Sequence, residues 1–235
     1  MMTLIGVVAI PQLLLSRQLQ TRSSFTLRGT IVSASKVFEN PDAPSIDDRN
    51  RFEAVDGMIG AGVEYRFALP GHAIFFSLSV EYTSKVSSKD QSIALNGDIR
   101  RVPIDQGIHF VPIELGVNAT VPLSNDELYL TMGGGAGVYY AQRVFTVAGV
   151  RSKPESLPYG YGIHIESGLE FKLTNGLWLR AEIRFRDPEV RSNNRFEQDS
   201  IVIEDTTIPL TQSLMNTKIN VHGAAFAFGV VLDLD

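Results

Sequence analysis

The sequence predicts an all-β chain that closes into an eight-stranded antiparallel up-and-down barrel. Three observations predict this fold. From residue 23 onward, segment after segment alternates apolar and polar side chains with a period of two, the period of a β-strand. Short turns alternate with long polar links between these segments. One face of the segments is apolar, whereas the other carries acids and bases in equal number.

The composition limits the classes of function. The 235 residues are 44% hydrophobic and 20% charged, which indicates a folded chain. A formal net charge of -5 provides no basic field for phosphate backbones, so nucleic acid is not an expected partner. The absence of cysteine excludes disulfides, thiol catalysis and cysteine-ligated metal.

The first residues differ from the rest of the chain. Residues 1–15 form an apolar run that stops at Ser16 and Arg17. The run is too short for a membrane-spanning helix and has the length of a signal-peptide core. We interpret residues 1–20 as a signal peptide, with a short N-terminal helix as the alternative, and residues 23–235 as one barrel domain.

Eight strands are predicted, each as long as the roughly 9 to 11 residues that a tilted strand needs to cross a bilayer. They cover residues 23–34, 57–69, 72–84, 108–122, 127–143, 160–173, 177–188 and 219–233. Tight turns at residues 69–72, 122–126 and 173–176 alternate with long polar links near 35–56, 85–107, 144–159 and 189–218. All short turns therefore lie at one end. Outer-membrane barrels have this organisation, with short periplasmic turns and long external loops.

One face of these strands is apolar and free of charge, as a lipid-facing wall must be. Its members include Phe25, Leu27, Ile31, Ile59, Val63, Tyr65, Phe67, Phe76, Leu78, Val80, Tyr82, Ile113, Leu115, Val117, Met132, Val138, Tyr140, Ile163, Ile165, Phe171, Leu179, Phe185, Phe226, Phe228 and Leu232. Arg or Lys on such a face costs about 2 to 4 kcal/mol at the bilayer midplane. The aromatic members fall into two groups near the two strand ends, which is typical of interfacial girdles.

The opposite face carries the charged side chains. They are Arg28, Glu64, Arg66, Glu81, Glu114, Glu166, Glu170, Lys172, Arg180, Glu182, Arg184 and Arg186, with His164 on the same face. An eight-stranded barrel is only wide enough inside for side chains to fill it, so we expect a packed charge network in the lumen. Many glycines share this face, among them Gly116, Gly133, Gly135 and Gly137. A crowded lumen needs small residues opposite large ones, whereas a solvated outer surface does not.

Three segments carry a resemblance to a known family. They are Phe110–Gly116, Leu128–Tyr140 and Gly168–Gly176. With these segments the chain resembles the PorT-like outer membrane protein β-barrel family of small bacterial surface barrels. The resemblance implies the fold and a location in the bacterial outer membrane, rather than an activity.

Residues for chemistry are few. Among the four histidines, His109 and His164 are predicted near the long-loop end, and no two histidines have metal-ligand spacing. Asp42, Asp47 and Asp48 lack the spacing of a calcium loop, and the glycine run at 133–137 lacks the Lys-Ser/Thr of a phosphate-binding loop. We therefore predict no catalytic residue, metal or cofactor.

These observations favour a non-enzymatic outer-membrane protein with a structural or surface-interaction role, surrounded by outer-membrane lipid and able to bind a partner through its external loops. Three alternatives stay open. A small pore requires a continuous water path past the lumen charges. A rim enzyme acting on lipid or peptide would use His164 or His109. A soluble lipocalin-like barrel would bind a ligand and have its two faces reversed.

Overall fold

The computed structural model describes residues 23–69, 73–95, 98–124, 127–203, 206–210 and 214–234. The predicted signal peptide lies outside the described residues, as do parts of the predicted turns at 69–72 and 122–126. The elements are β1 Ser23–Val32, β2 Lys36–Phe38, α1 Ile46–Arg49, β3 Phe52–Ala54, β4 Met58–Ala68, β5 Ile74–Leu95, β6 Asp98–Ser124, β7 Leu128–Val147, β8 Val150–Pro154, β9 Tyr159–Thr174, β10 Leu177–Arg186, β11 Glu189–Phe196, β12 Ser200–Ile203, β13 Thr206–Pro209, β14 Met215–Asn220 and β15 Ala224–Leu234. Among these residues, no helix is long and apolar enough to span a membrane.

Eight of the strands close into a barrel. In chain order β1, β4, β5, β6, β7, β9, β10 and β15 each pair antiparallel with the next, and β15 pairs back with β1. They overlap the eight predicted strands one for one. The predicted eight-stranded up-and-down barrel is therefore confirmed.

The period-two alternation sorts the side chains between the two faces of the wall. Along the middle of β6, Ile113, Leu115 and Val117 are exposed, while Glu114 and Gly116 between them are buried. Successive side chains of a strand point to opposite faces, so a single pattern builds both the apolar outer surface and the polar lumen.

Three of the four regions predicted as long polar links are mostly β-strand, whereas the link at 35–56 contains only the short strands β2 and β3 and the helix α1. The expectation of irregular loops is corrected to this extent. β5 extends to Leu95 and β6 already begins at Asp98, so the two strands form a long hairpin, and β7 extends to Val147. The link at 189–218 contains β11 to β14. The inward positions of β11 include Ser192 and Asn194, so its strand character is not visible as an apolar stripe.

These added strands continue the barrel wall at the long-loop end. Their hydrogen-bonded order is β3-β2-β14-β11-β8-β7, which repeats the order β4-β1-β15-β10-β9-β7 of the barrel strands next to them in the chain. Thus β3 precedes β4, β2 follows β1, β14 precedes β15, β11 follows β10 and β8 precedes β9. We call this part, formed by β2, β3, β8, β11, β14 and the outer halves of β5 to β7, the external wall. The hairpin β12–β13 forms a separate two-stranded sheet.

Apolar side chains pack inside the barrel above and below its charged middle. A large cluster joins inward residues at the long-loop end of the barrel to the external wall: Val32, Val37, Val55, Met58, Ile108, Phe110, Tyr139, Ala141, Val190, Ile219, Val221 and Ala225. A small cluster of Tyr129, Trp178 and Val231 lies at the short-turn end. A third, including Val102, Phe196 and Ile201, joins β12 to the tip of the external wall.

Candidate functional site

Among the described residues, the lumen of the barrel holds a dense group of buried ionisable side chains. The structure places twelve of the thirteen sequence-predicted lumen residues inside the barrel as buried groups: Arg28, Glu64, Arg66, Glu81, Glu114, His164, Glu166, Glu170, Arg180, Glu182, Arg184 and Arg186. Lys172 is half-buried at the short-turn end, where its Nζ lies 5.7 Å from the centroid of the Trp178 ring. Lys172 packs against an aromatic ring and not against the central glutamates.

Glu64 of β4 is one centre of the network. Its Oε2 accepts a hydrogen bond from Arg28 Nη1 at 2.7 Å, and its Oε1 accepts from Arg66 Nε at 2.6 Å and from Arg180 Nη1 at 3.0 Å. Arg66 also pairs with Glu170 across the lumen. A carboxylate that is fully withdrawn from solvent thus contacts guanidinium groups from three strands.

Arg184 of β10 is the second centre. Its guanidinium donates to Glu114 Oε2 at 2.6 Å, and its Nη2 lies 2.7 Å from Glu182 Oε1 and 3.3 Å from Glu64 Oε2. It also contacts Glu166. Oxygens of Glu64, Glu166 and Glu182 lie within 4.8 Å of one another, a spacing that a metal ion could bridge. Because Arg184 contacts all three, its guanidinium already supplies the positive charge between them.

Glu114 and Glu81 connect the network to the long-loop end of the lumen. Arg186 reaches Glu114 through Nε at 2.8 Å and Glu81 through Nη1 at 2.9 Å. Tyr139 Oη donates to Glu114 Oε1 at 2.8 Å, and Thr30 Oγ1 donates to Glu81 Oε2 at 2.9 Å. Tyr139 belongs to the apolar cluster above, so this tyrosine links the charged layer to the apolar layer.

Buried charges are costly to desolvate unless several partners surround each of them. The network meets this condition with six glutamates and five arginines, since each arginine contacts at least two of the glutamates. Charge-assisted hydrogen bonds of this kind are about twice as strong as neutral ones. The arrangement favours a rigid filling of the barrel rather than mobile lumen side chains.

Glycines on β7 provide the room for this filling. Gly133 pairs with Glu166 of β9, and Gly135 pairs with His164. A Cβ atom added to Gly135 would lie 1.8 Å from the backbone oxygen of Leu115 on β6. The strand can approach its neighbours this closely only without a side chain at that position.

The two candidate histidines lie on opposite faces of the wall. His164 is buried in the lumen, with Nδ1 3.7 Å from Glu114 Oε1. His109 is on the outer face, where its ring stacks on Tyr82 and its Nδ1 lies 2.8 Å from Tyr82 Oη and 2.9 Å from Ser84 Oγ. The structure therefore does not bring the two predicted rim histidines together.

The outer surface changes from apolar to charged where the barrel meets the external wall. Phe185 of β10 is exposed on the apolar band, and the next outward side chains along the chain include Glu189 and Arg191. Arg191 pairs with Asp42 at 3.2 Å, and Arg195 pairs with Glu155 at 2.9 Å. This surface of ion pairs is typical of a region in water, so the predicted lipid-facing band ends below it.

Polar side chains also line the inside of the external wall, and sequence reasoning missed them. Asn194 Nδ2 donates to Thr217 Oγ1 at 3.2 Å, and Arg143 Nη2 lies 3.5 Å from Glu39 Oε1. Burial raises the pKa of Glu53 on β3, and Arg143 opposes this effect. The inward and outward positions of these strands alternate, but both carry polar residues, so the sequence shows no apolar–polar alternation that could have revealed them.

Comparison with known proteins identifies the family. The sequence profile of the outer membrane protein beta-barrel domain matches residues 4–208. The chain belongs to this family. It is a β-barrel protein of the bacterial outer membrane. A search of curated proteins finds no match to the chain.

Solved outer-membrane barrels have a similar structure. OprG from Pseudomonas aeruginosa has a TM-score of 0.56 at 10% identity, over 91% of this chain and 97% of that one. Ail, the attachment invasion locus protein of Yersinia pestis, has a TM-score of 0.47 at 13% identity, over 92% and 100%. Neisserial surface protein A has a TM-score of 0.48 at 8% identity, over 90% and 97%. The similarity to OprG shows that the two proteins share a fold.

Proposed function

We propose that this chain is a non-enzymatic outer-membrane protein whose lumen is closed, and that its external wall carries its interactions at the cell surface. The observation that carries the proposal is the network of five arginines and six glutamates across the middle of the barrel. An eight-stranded barrel leaves little space beyond what side chains fill. The lumen charges therefore act as a structural filling in this proposal.

Apolar layers on both sides of the network support closure. Phe110 and Tyr139 stack with ring centroids 5.8 Å apart at the long-loop end. Tyr129 and Trp178 pack edge-to-face at the short-turn end, with centroids 5.4 Å apart. Ions avoid apolar constrictions of this kind, which can exclude water as well.

Electrical recording tests the closed lumen. We expect the purified barrel, inserted in planar bilayers, to show no stepwise conductance in molar salt, because the network and both apolar layers block the path. A large porin inserted in parallel shows that the assay responds. Reproducible single-channel steps from the wild-type barrel would contradict the proposal and favour the small-pore alternative.

We further propose that His109 and His164 have structural roles, in contrast to the rim-enzyme alternative. His164 is enclosed in the lumen beside Glu114, away from any large substrate. His109 stacks on Tyr82, one of the aromatic residues predicted to form the girdle near the long-loop end. We also propose that the chain lies in the PorT-like branch of its family, on the strength of the segments Phe110–Gly116, Leu128–Tyr140 and Gly168–Gly176.

The proposed surface role is supported by apolar side chains that stay exposed far from the lipid band. Ile99, near the tip of the β5–β6 hairpin, and Val202, on β12, are 77% and 68% exposed. Such side chains offer contact area to a partner at the cell surface.

A further inference from the structure

Two lysines and two phenylalanines form a row on the outer surface of the external wall. Lys218 of β14, Phe38 of β2 and Phe52 of β3 occupy paired positions on three adjacent strands. The rings of Phe38 and Phe52 have centroids 5.7 Å apart. Lys218 Nζ lies 4.6 Å from the Phe38 centroid, and Lys36 Nζ lies 4.5 Å from the Phe52 centroid. We call these four side chains the lysine–phenylalanine row.

The row adjoins the lipid-facing wall. Lys36 follows Ile31, an exposed residue of β1, across the short link 33–35, and Phe52 precedes the exposed Ile59 of β4 across the link 55–57. Phe52 is itself 44% exposed. The row therefore lies only one short link above the apolar band on this side of the barrel, with the exposed Ser33 and Asp56 in the links between them. This is close to the level where aromatic girdles and headgroups meet.

Some outward bases of the external wall are paired with carboxylates, whereas the two lysines of the row lie against aromatic rings. Arg191 and Arg195 contact carboxylates at 3.2 and 2.9 Å, and Lys153 pairs with Glu197. Among the described residues, Lys36 is in no ion pair and lies against a ring. Lys218 has a single carboxylate neighbour, Glu189, at 3.6 Å. Positive charge in the row is therefore only partly neutralised.

We propose that the lysine–phenylalanine row binds the phosphate of an outer-leaflet lipid headgroup. The ammonium groups of Lys36 and Lys218 supply the charge, and the rings of Phe38 and Phe52 hold them in place through cation–π contact. Continuity with the lipid-facing wall is the reason to assign a lipid rather than a dissolved anion. The proposal depends on the outer-membrane location and not on whether the lumen is closed.

Lipid enrichment in nanodiscs tests the proposal. The barrel is reconstituted in equal amounts of phosphatidylglycerol and phosphatidylcholine with identical chains, and the lipid that stays bound on release into detergent is counted by native mass spectrometry. We expect the wild type to retain phosphatidylglycerol preferentially, because the choline ammonium of phosphatidylcholine offsets the charge of its phosphate. The variant K36Q/K218Q should reduce that preference by about fivefold for each lysine, the effect of one basic residue near a membrane surface.

The matched control is K153Q, which removes a lysine from the same wall but at a carboxylate-paired position. Heat-modifiable gel migration verifies that every variant is folded. Unchanged retention in K36Q/K218Q overturns the proposal, as does an equal loss in K153Q, which would indicate a general surface charge effect. Displacement of the lipid by millimolar inorganic phosphate would also overturn it, because the row would then be a site for a dissolved anion.

Discussion

Replacing Arg184 with alanine is expected to lower the free energy of unfolding by about 3 to 5 kcal/mol, the cost of breaking a buried ion pair from one side. Arg184 contacts Glu64, Glu114, Glu166 and Glu182, so its loss leaves several carboxylates close together without their shared cation. Urea unfolding in lipid vesicles, followed by tryptophan fluorescence and by the fraction with folded gel migration, measures the change.

The control for this substitution is Arg191→Ala on the outer surface. Arg191 is 59% exposed at its side chain and pairs with Asp42 and Glu189, and such surface pairs contribute less than about 1 kcal/mol. A second variant, Arg184→Lys, keeps the charge but loses the planar fork, and its stability should fall between the wild type and Arg184→Ala. Equal stability of Arg184→Ala and Arg191→Ala would show that the lumen charges are solvated and do not form a packed network.

Replacing Gly135 with alanine is expected to cost at least about 3 kcal/mol, the upper range for overpacking, or to prevent folding. The new Cβ atom would lie 1.8 Å from the Leu115 carbonyl oxygen and 2.8 Å from the Gly116 Cα. Both are backbone atoms, so relief requires β6 and β7 to separate. The yield of heat-modifiable protein and the urea midpoint measure the effect.

Gly29→Ala is the matched control, because Gly29 is also in a barrel strand but has only the Gly60 carbonyl oxygen near, at 3.9 Å. This substitution should change stability by less than about 1 kcal/mol. If Gly135→Ala folded with the stability of Gly29→Ala, β6 and β7 would not approach each other as closely at Gly135 as described.

Much of the barrel could be predicted because its alternation is strong. Wherever a strand crosses the membrane, outward residues such as Leu115 must be apolar, whereas inward residues can be charged, as Glu114 is. The two environments differ so much that residue type alone assigns the face. For the same reason the sequence placed the central arginines and glutamates on one face without any knowledge of their contacts.

The external wall could not be predicted because both of its faces tolerate polar residues. Inward Ser192, Asn194 and Thr217 satisfy one another by hydrogen bonds, so no apolar stripe marks β11 and β14. The contact partner of each individual lumen side chain also could not be predicted from the sequence. Lys172 shares the parity of the lumen charges, yet it lies at the short-turn end against Trp178. The odd or even position of a residue along its strand determines which face its side chain occupies, whereas its height along the barrel axis determines which side chains it contacts.

The division of the wall into a lipid face and a closed lumen face is tested most directly by spin labels on single cysteines. The chain contains no cysteine of its own, so each label reports one position. Labels at Leu78 and Val80 of β5 should contact oxygen dissolved in lipid and be shielded from a water-soluble nickel chelate, whereas labels at Ser77 and Ser79 should be shielded from both. A label at Asn193 on the external wall should be open to the chelate. The assignment of the two faces would be contradicted if the nickel chelate reached labels at Leu78 and Val80, or if oxygen reached Ser77 and Ser79 but not Leu78 and Val80.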